Sequence, residues 1–270
     1  MAKREGTRLL RASFDLFRQD KKMIWLPVLG GITAGIGALI VGGAVAGILA
    51  AAGANGAIYI LAIFVAGLVA AFLSTFFNLA VVFAANDRIE GTAPTVGGSL
   101  SKAWGRRNVI FKWAFLAAVV GTAINLLEER LGLVGRIFGF LGGVAWAIAT
   151  YLVLPVLAFE NIGPIDAVKR SAHLFKDQWS GVTRTALRFG VLFLPAFLVD
   201  MIVFVGGCAL MGVNLALGIP LAAVGFIGLV FIGMLAATAN LYMRTILYRF
   251  ATKQPVPEMG VDLTTLFAKN

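Results

Sequence analysis

The sequence predicts an all-α polytopic membrane protein of six transmembrane helices, arranged as three hairpins, each preceded by a cytoplasmic amphipathic helix. Three observations lead there. Six long apolar stretches divide the chain, its positive charge falls almost entirely on one side of the topology they imply, and three similar basic segments each precede a pair of stretches. At 60% hydrophobic and 13% charged residues, with a mean hydropathy of +0.91, the chain carries more apolar surface than a water-soluble core can bury.

The stretches run approximately from Met23 to Ala54, Ala57 to Ala85, Val109 to Leu127, Leu131 to Phe159, Phe189 to Gly212 and Leu215 to Leu247. Each reaches the roughly 20 apolar residues that a helix needs to cross about 30 Å of hydrocarbon, and the longer ones allow tilt. The first stretch follows about 22 polar and amphipathic residues and is too long for a signal-peptide core, so a retained N terminus is expected. Residues 1–270 then read as a single integral membrane domain. An amphipathic segment covers 1–22, the six spans cover 23–247 with interfacial helices near 95–107 and 164–180, and a cytoplasmic tail covers 248–270.

With both termini on one side, the basic residues of segments 3–22, 88–112, 169–188 and 244–269 share that side, and only Arg130 and Arg136 lie opposite. The positive-inside rule makes the basic side cytoplasmic. The formal charge of +10 therefore reads as topology and as attraction to anionic inner-leaflet lipids, the expected partners, at on the order of 1 kcal/mol per basic residue. No aromatic-rich basic module accompanies the charge, so nucleic acid is not expected as a partner.

The first surface segment sets Leu10, Phe14 and Phe17 against Arg8, Arg11, Asp15 and Arg18 at helical spacing. The second sets Val96, Leu100, Ala103 and Trp104 against Lys102 and Arg106. The third sets Ile165, Val168, Ala172, Phe175 and Trp179 against Asp166, Lys169, Arg170, Lys176 and Asp177. Gly163 followed by Pro164 suits a helix start, since proline at the first position forfeits an amide that lacks a partner there anyway. Trp25, Trp104, Trp113, Trp179 and Tyr248 fall near the expected inner boundary, where aromatic anchors sit.

Small residues recur at four-residue spacing: Gly31 and Gly35, Gly43 and Gly47, and the row Gly135, Gly139, Gly143. Such rows let helix backbones approach, and helix packing within the chain is the expected use. Self-association, or a protein partner on the same faces, would use the same chemistry.

Asp200 is the strongest candidate for chemistry inside the membrane. It lies twelve residues after Arg188, roughly 18 Å along the fifth span, where a carboxylate is expensive unless paired, hydrated or protonated. Asn78, Asn125 and Arg136 are its possible polar company, and Arg136 is the basic residue that could approach from the outer side. A relay or a structural interhelical bond would each use such a group. Pro195, five residues earlier, could interrupt the span as transporters often do. Glu160, after a Pro155 expected to kink the fourth span, could pair with Arg170 or Lys169. Glu128 and Glu129 form a charged outer corner with no third cation ligand in sight.

His173 is the only histidine and Cys208 the only cysteine, which leaves little for an ordinary zinc site, a Ser-His-Asp triad or a disulfide. Residues Gly97-Gly98-Ser99-Leu100-Ser101-Lys102 lack the strand and the Gly-Lys step of a phosphate loop. No catalytic residue, cofactor or metal is expected.

Further residues carry a resemblance. Asn125, Glu128-Glu129-Arg130, Gly132-Leu133-Val134-Gly135-Arg136, Trp146, Leu154-Pro155-Val156 and Phe159-Glu160 lead into Gly163-Pro164, Ala167, Arg170-Ser171-Ala172 and Trp179. This run, with Arg18-Gln19-Asp20-Lys21, Leu26-Pro27 and Leu247-Tyr248-Arg249-Phe250-Ala251, resembles a prokaryotic family of uncharacterised six-span membrane proteins. More weakly, it is similar to the membrane domain of some bacterial glycerophosphodiester phosphodiesterases, whose hydrolase domain has no counterpart here. The resemblance implies a prokaryotic plasma membrane and supplies no catalytic residues. The function expected is that of a non-enzymatic accessory or scaffold protein. The alternatives are a small-solute, lipid or ion transporter built around Asp200 and, behind it, an intramembrane hydrolase.

Overall fold

In a computed structural model, the backbone is described over residues 21–53, 59–130, 132–177 and 179–255. Side chains are described over the same residues except 21, 130, 132–134, 177 and 179–192. The first surface segment, residues 1–20, lies outside them. After a 3-10 turn at Lys21–Ile24, the described residues form α1 (Trp25–Ala51), α2 (Tyr59–Ile89), α3 (Val96–Gly105), α4 (Arg107–Arg130) and α5 (Gly132–Ala149). They continue as α6 (Val153–Phe159), α7 (Pro164–Asp177), α8 (Trp179–Met211) and α9 (Leu215–Ala251).

Among the described residues, six segments are long and apolar enough to cross a membrane: Lys22–Ala51, Tyr59–Ile89, Arg107–Glu129, Gly135–Phe159, Phe193–Met211 and Leu215–Ala251. All-helical spanning structure follows from hydrocarbon as solvent, because a helix satisfies its backbone amides and carbonyls within itself. Helix α2 is central and packs on α1, α3, α4, α6 and α9, whereas α8 packs chiefly on α9 and α5 chiefly on α4.

The packed core lies at the end of the bundle where α3 and α7 sit. There α2 buries Leu79 to Val82, Ala84 and Ala85, the α6 region buries Leu152, Val156 and Leu157, and α9 buries Leu241 to Met243 and Ile246 to Tyr248. Runs of successive buried residues mean that these helix ends are enclosed on all sides. Away from that end the bundle opens, and Leu39 and Ile48 of α1, Phe138 of α5, Ile202 of α8 and Ile227 of α9 are exposed.

The fourth span is not one kinked helix. Pro155 has no N–H to give the carbonyl four residues back, and the chain breaks into α5 and α6 around residues 150–152, with Pro155 in the first turn of α6 where proline is tolerated. The buried Leu152 N–H donates instead to Ser171 Oγ of α7 at 3.0 Å. Pro195, by contrast, leaves α8 continuous.

The face that α7 buries is also turned from the expected one. Ala167, Ser171, Leu174 and Phe175 are buried, while Ile165 is exposed and Val168 and Ala172 are half-buried. The Leu152 N–H bonds to Ser171 on this buried face. On α3, Ser99 and Ala103 are buried, and Trp104 is 56% exposed yet meets the Phe76 ring edge-on.

Helix approach within the chain uses a different set of glycines in α1 from the four-residue pairs. A Cβ on Gly31, Gly35, Gly43 or Gly47 would meet nothing within 4 Å. The glycines against α2 are Gly30, Gly37 and Gly42, where a Cβ would lie 2.8 Å from Phe77 Cβ, 2.9 Å from Leu73 Cδ1 and 2.7 Å from Ala66 Cβ. Consecutive helical residues point about 100° apart, so moving one position along the chain changes the face. In α5, Gly139 packs against Glu128 and Gly135 is buried, while Gly143 faces open space. The tightest seam joins α8 to α9: Gly207, Gly218 and Gly225 bring backbones within van der Waals contact.

Candidate functional site

Asn240 and Arg244 lie one turn apart on α9, on the face turned toward α2 and α6. With Asn78 of α2, Leu154 of α6, Ala237 and Leu241 they line a cavity of about 180 Å³. Arg244 Nε donates to Asn240 Oδ1 at 2.7 Å, and the guanidinium carbon sits 4.4 Å from the centroid of the Tyr151 ring. That ring is held edge-on by Phe175 of α7, and among the described residues its buried hydroxyl oxygen has no hydrogen-bond partner. Among the described residues, no carboxylate forms an ion pair with Arg244.

Arginine is the cation suited to such a place, because its flat, weakly hydrated guanidinium can stack on an aromatic face while offering several donors. Arg244 lies seven residues before the end of α9 at Ala251, about 10 Å along the axis. The cavity is therefore near the packed end and not at mid-bundle. Ala237, on its rim, is exposed.

A second polar cluster closes the same end. Arg249 is 7% exposed and donates from Nη1 to Asn86 Oδ1 at 2.6 Å and to Glu90 Oε1 at 2.9 Å. Its Nε and Nη2 donate to the Pro255 carbonyl at 3.1 and 2.9 Å. The Arg249 hydrogen bond holds the Glu90 carboxyl below the usual carboxylate range against the opposing effect of burial, with Asn86 assisting. Tyr248 donates its hydroxyl to Glu160 Oε1 at 3.1 Å and stacks on Phe159, and Arg170 Nε reaches the same carboxylate oxygen at 3.2 Å. Lys102 pairs with Asp87 at 2.6 Å, joining α3 to α2.

The four residues expected to form an intramembrane polar site are not brought together. Asn78 lines the cavity with Asn240 and Arg244. Asn125 is exposed on α4 and Arg136 is exposed on α5, and no ion pair joins Arg136 to Asp200 among the described residues. The Asp200 carboxylate rests against Gly228 of α9, where an added Cβ would lie 2.5 Å from Oδ1. Gly228 and Arg244 are sixteen residues apart on one helix, about 24 Å, so Asp200 stands at a different level from the cavity. The expected pairing of Glu160 with Arg170 is present. Among the described residues, no group of three His, Cys, Asp or Glu side chains could hold a metal ion.

Residues 57–256 match the model of a family of unknown function, DUF6159. The chain belongs to that family. The DUF6159 region holds α2 to α9 and every residue of the cavity and of the Arg249 cluster, and leaves α1 outside. Neither the curated proteins nor the solved structures contain a match.

By position in the sequence alone, Arg244 and Arg249 read as two more inner-side charges. The missed signal was Asn240: a polar residue one helical turn before an arginine, within an apolar stretch, marks a polar stripe on one face. Arg249 gave no such sign, because its partners Asn86 and Glu90 lie about 160 residues away in the chain.

Proposed function

We propose that this membrane protein is a non-enzymatic accessory or scaffold protein of a prokaryotic plasma membrane, with both termini cytoplasmic and its basic surface helices engaging inner-leaflet lipid or a partner. The observation that carries the reading is the division of the bundle. One end is enclosed and cross-linked by Arg249, Glu160 and Lys102, while the long apolar flanks of α1, α8 and α9 remain exposed. Helices α3 and α7 cover the enclosed end and present Lys102, Lys169, Arg170 and Lys176 outward, the arrangement of amphipathic helices on an anionic surface.

A transporter built around Asp200 is the second reading, and the half-buried place of that carboxylate between α8 and α9 favours it. Proteoliposomes separate the two. We expect the wild-type protein and Asp200→Asn to show the same low proton and ion permeability. A flux carried by the wild type and abolished in Asp200→Asn at normal folded level would replace the scaffold with a transporter. Orientation is read independently: after removal of Cys208, an impermeant thiol reagent should label a cysteine at Asn214 on intact cells and spare one at Thr95. The reverse pattern would invert the topology.

A further inference from the structure

We propose that the cavity lined by Asn78, Asn240 and Arg244 is a binding site for the phosphodiester of a membrane phospholipid. Four features point to a phosphate. Arg244 keeps its terminal nitrogens unpaired by any described carboxylate, although a guanidinium held off from water is costly without a counter-charge. Its Nε is fixed by Asn240 and its plane by Tyr151, so the remaining N–H fork is preoriented, and a bidentate fork matches phosphate oxygens. Since Asn240 accepts from Arg244 through its oxygen, its amide nitrogen is left as a donor, and Asn78 adds a second amide to the same walls. Among the described residues no acidic side chain lines the cavity, whereas a cation site would need one.

Size and depth agree with a headgroup. A volume of about 180 Å³ corresponds to roughly six waters at their share of liquid volume, room for a phosphate and part of its ester. Arg244 stands about 10 Å from the end of its helix, the depth of the boundary between headgroups and acyl chains in a helix that outlasts the hydrocarbon. The exposed Ala237 and the half-buried Leu154 offer apolar surface on which a lipid's glyceride end can lie. A free phosphate anion would satisfy the same donors but not that rim.

Assigning the site to the inner leaflet rests on the cytoplasmic orientation proposed above, whereas the recognition itself does not. The thiol-labelling pattern tests the orientation and the following measurement tests the pocket, so either can fail alone. The full chain in nonionic detergent is mixed with phosphatidylglycerol, with diacylglycerol of the same acyl chains, or with inorganic phosphate, and bound molecules are read by native mass spectrometry. We expect one phosphatidylglycerol per wild-type chain, held roughly tenfold more tightly than on Arg244→Gln, as loss of hydrogen bonds to a charged group implies. Asn78→Leu fills the cavity, keeps the cation and should lose the lipid similarly, which carries the test if Arg244→Gln does not fold. Arg244→Lys keeps the charge without the fork and should fall between. Diacylglycerol should not be retained and inorganic phosphate should not displace the lipid. Equal retention by wild type and both variants, or equal retention of diacylglycerol, would overturn the site. Arg244-dependent displacement by inorganic phosphate would overturn the lipid source and leave a free anion as the ligand.

Discussion

Arg249, near the end of α9, donates to Glu90, just beyond the end of α2, at 2.9 Å, and through this contact the two helices that form most of the core are fastened at one point. The same guanidinium holds Asn86 and the Pro255 carbonyl, so one side chain also folds the following residues back onto the bundle. Removing it leaves three acceptors short of a donor. Arg249→Ala is expected to cost about 2–4 kcal/mol in reversible unfolding from detergent micelles. Arg249→Lys should recover only part of that, because a point ammonium cannot span three acceptors as the planar fork does.

The Glu90 contact also has a pH signature. Its carboxyl is held below the ordinary value of 4.5, so the folded state favours the charged form more than the unfolded state does. A depressed carboxylate contributes stability that is fully present above 4.5 and is lost as pH falls through the lower folded value. The stability difference between wild type and Glu90→Gln should therefore be constant near neutrality and shrink below pH 4.5. A side chain 52% exposed keeps the effect modest, and rising salt should weaken it.

The two glycine surfaces separate packing from spacing. At Gly218 a Cβ would sit 2.5 Å from the Met211 backbone nitrogen, and neither helix can yield locally. Gly218→Ala is expected to destabilise by about 1–3 kcal/mol, the cost of overpacking a rigid contact. At Gly228 the atoms in the way belong to the end of the Asp200 side chain, which can rotate aside, so Gly228→Ala should cost less. Gly31→Ala meets open space and should leave monomer stability within about 0.5 kcal/mol. A large loss of dimer, read by cross-linking in liposomes, with monomer stability unchanged in Gly31→Ala would assign that row to self-association.

Hydropathy alone located the six spans, because about 20 consecutive apolar residues have few other uses. The internal arrangement was less legible. Glycine spacing marked where backbones could approach, but α1 turns Gly30 and Gly37 to α2 and leaves Gly31 and Gly35 open, a choice made by the neighbouring Phe77 and Leu73. Asp200 is an isolated acid in its apolar stretch, and isolation in sequence says nothing of partners. The polar groups that do meet, Asn78 with Asn240 and Arg244 and Asn86 with Arg249, come from α2 and α9, far apart in the chain. A pattern read along one helix cannot pair it with another.

Ser99 on α3 and Ser171 on α7 are both fully buried, and both stand where a helix covers the packed end. Ser171 accepts from the Leu152 N–H freed by the break before Pro155, whereas among the described residues Ser99 Oγ has no hydrogen-bond partner. Removing the acceptor strands a buried amide, so Ser171→Ala is expected to cost about 1–3 kcal/mol and to speed hydrogen exchange at Leu152. Removing the Ser99 hydroxyl relieves a buried group that makes no bond, and Ser99→Ala should be neutral or stabilising by up to about 1 kcal/mol. Thermal unfolding of both variants in one detergent decides it. Equal losses would mean that Ser99 has a partner in solution and that the two short helices are seated alike.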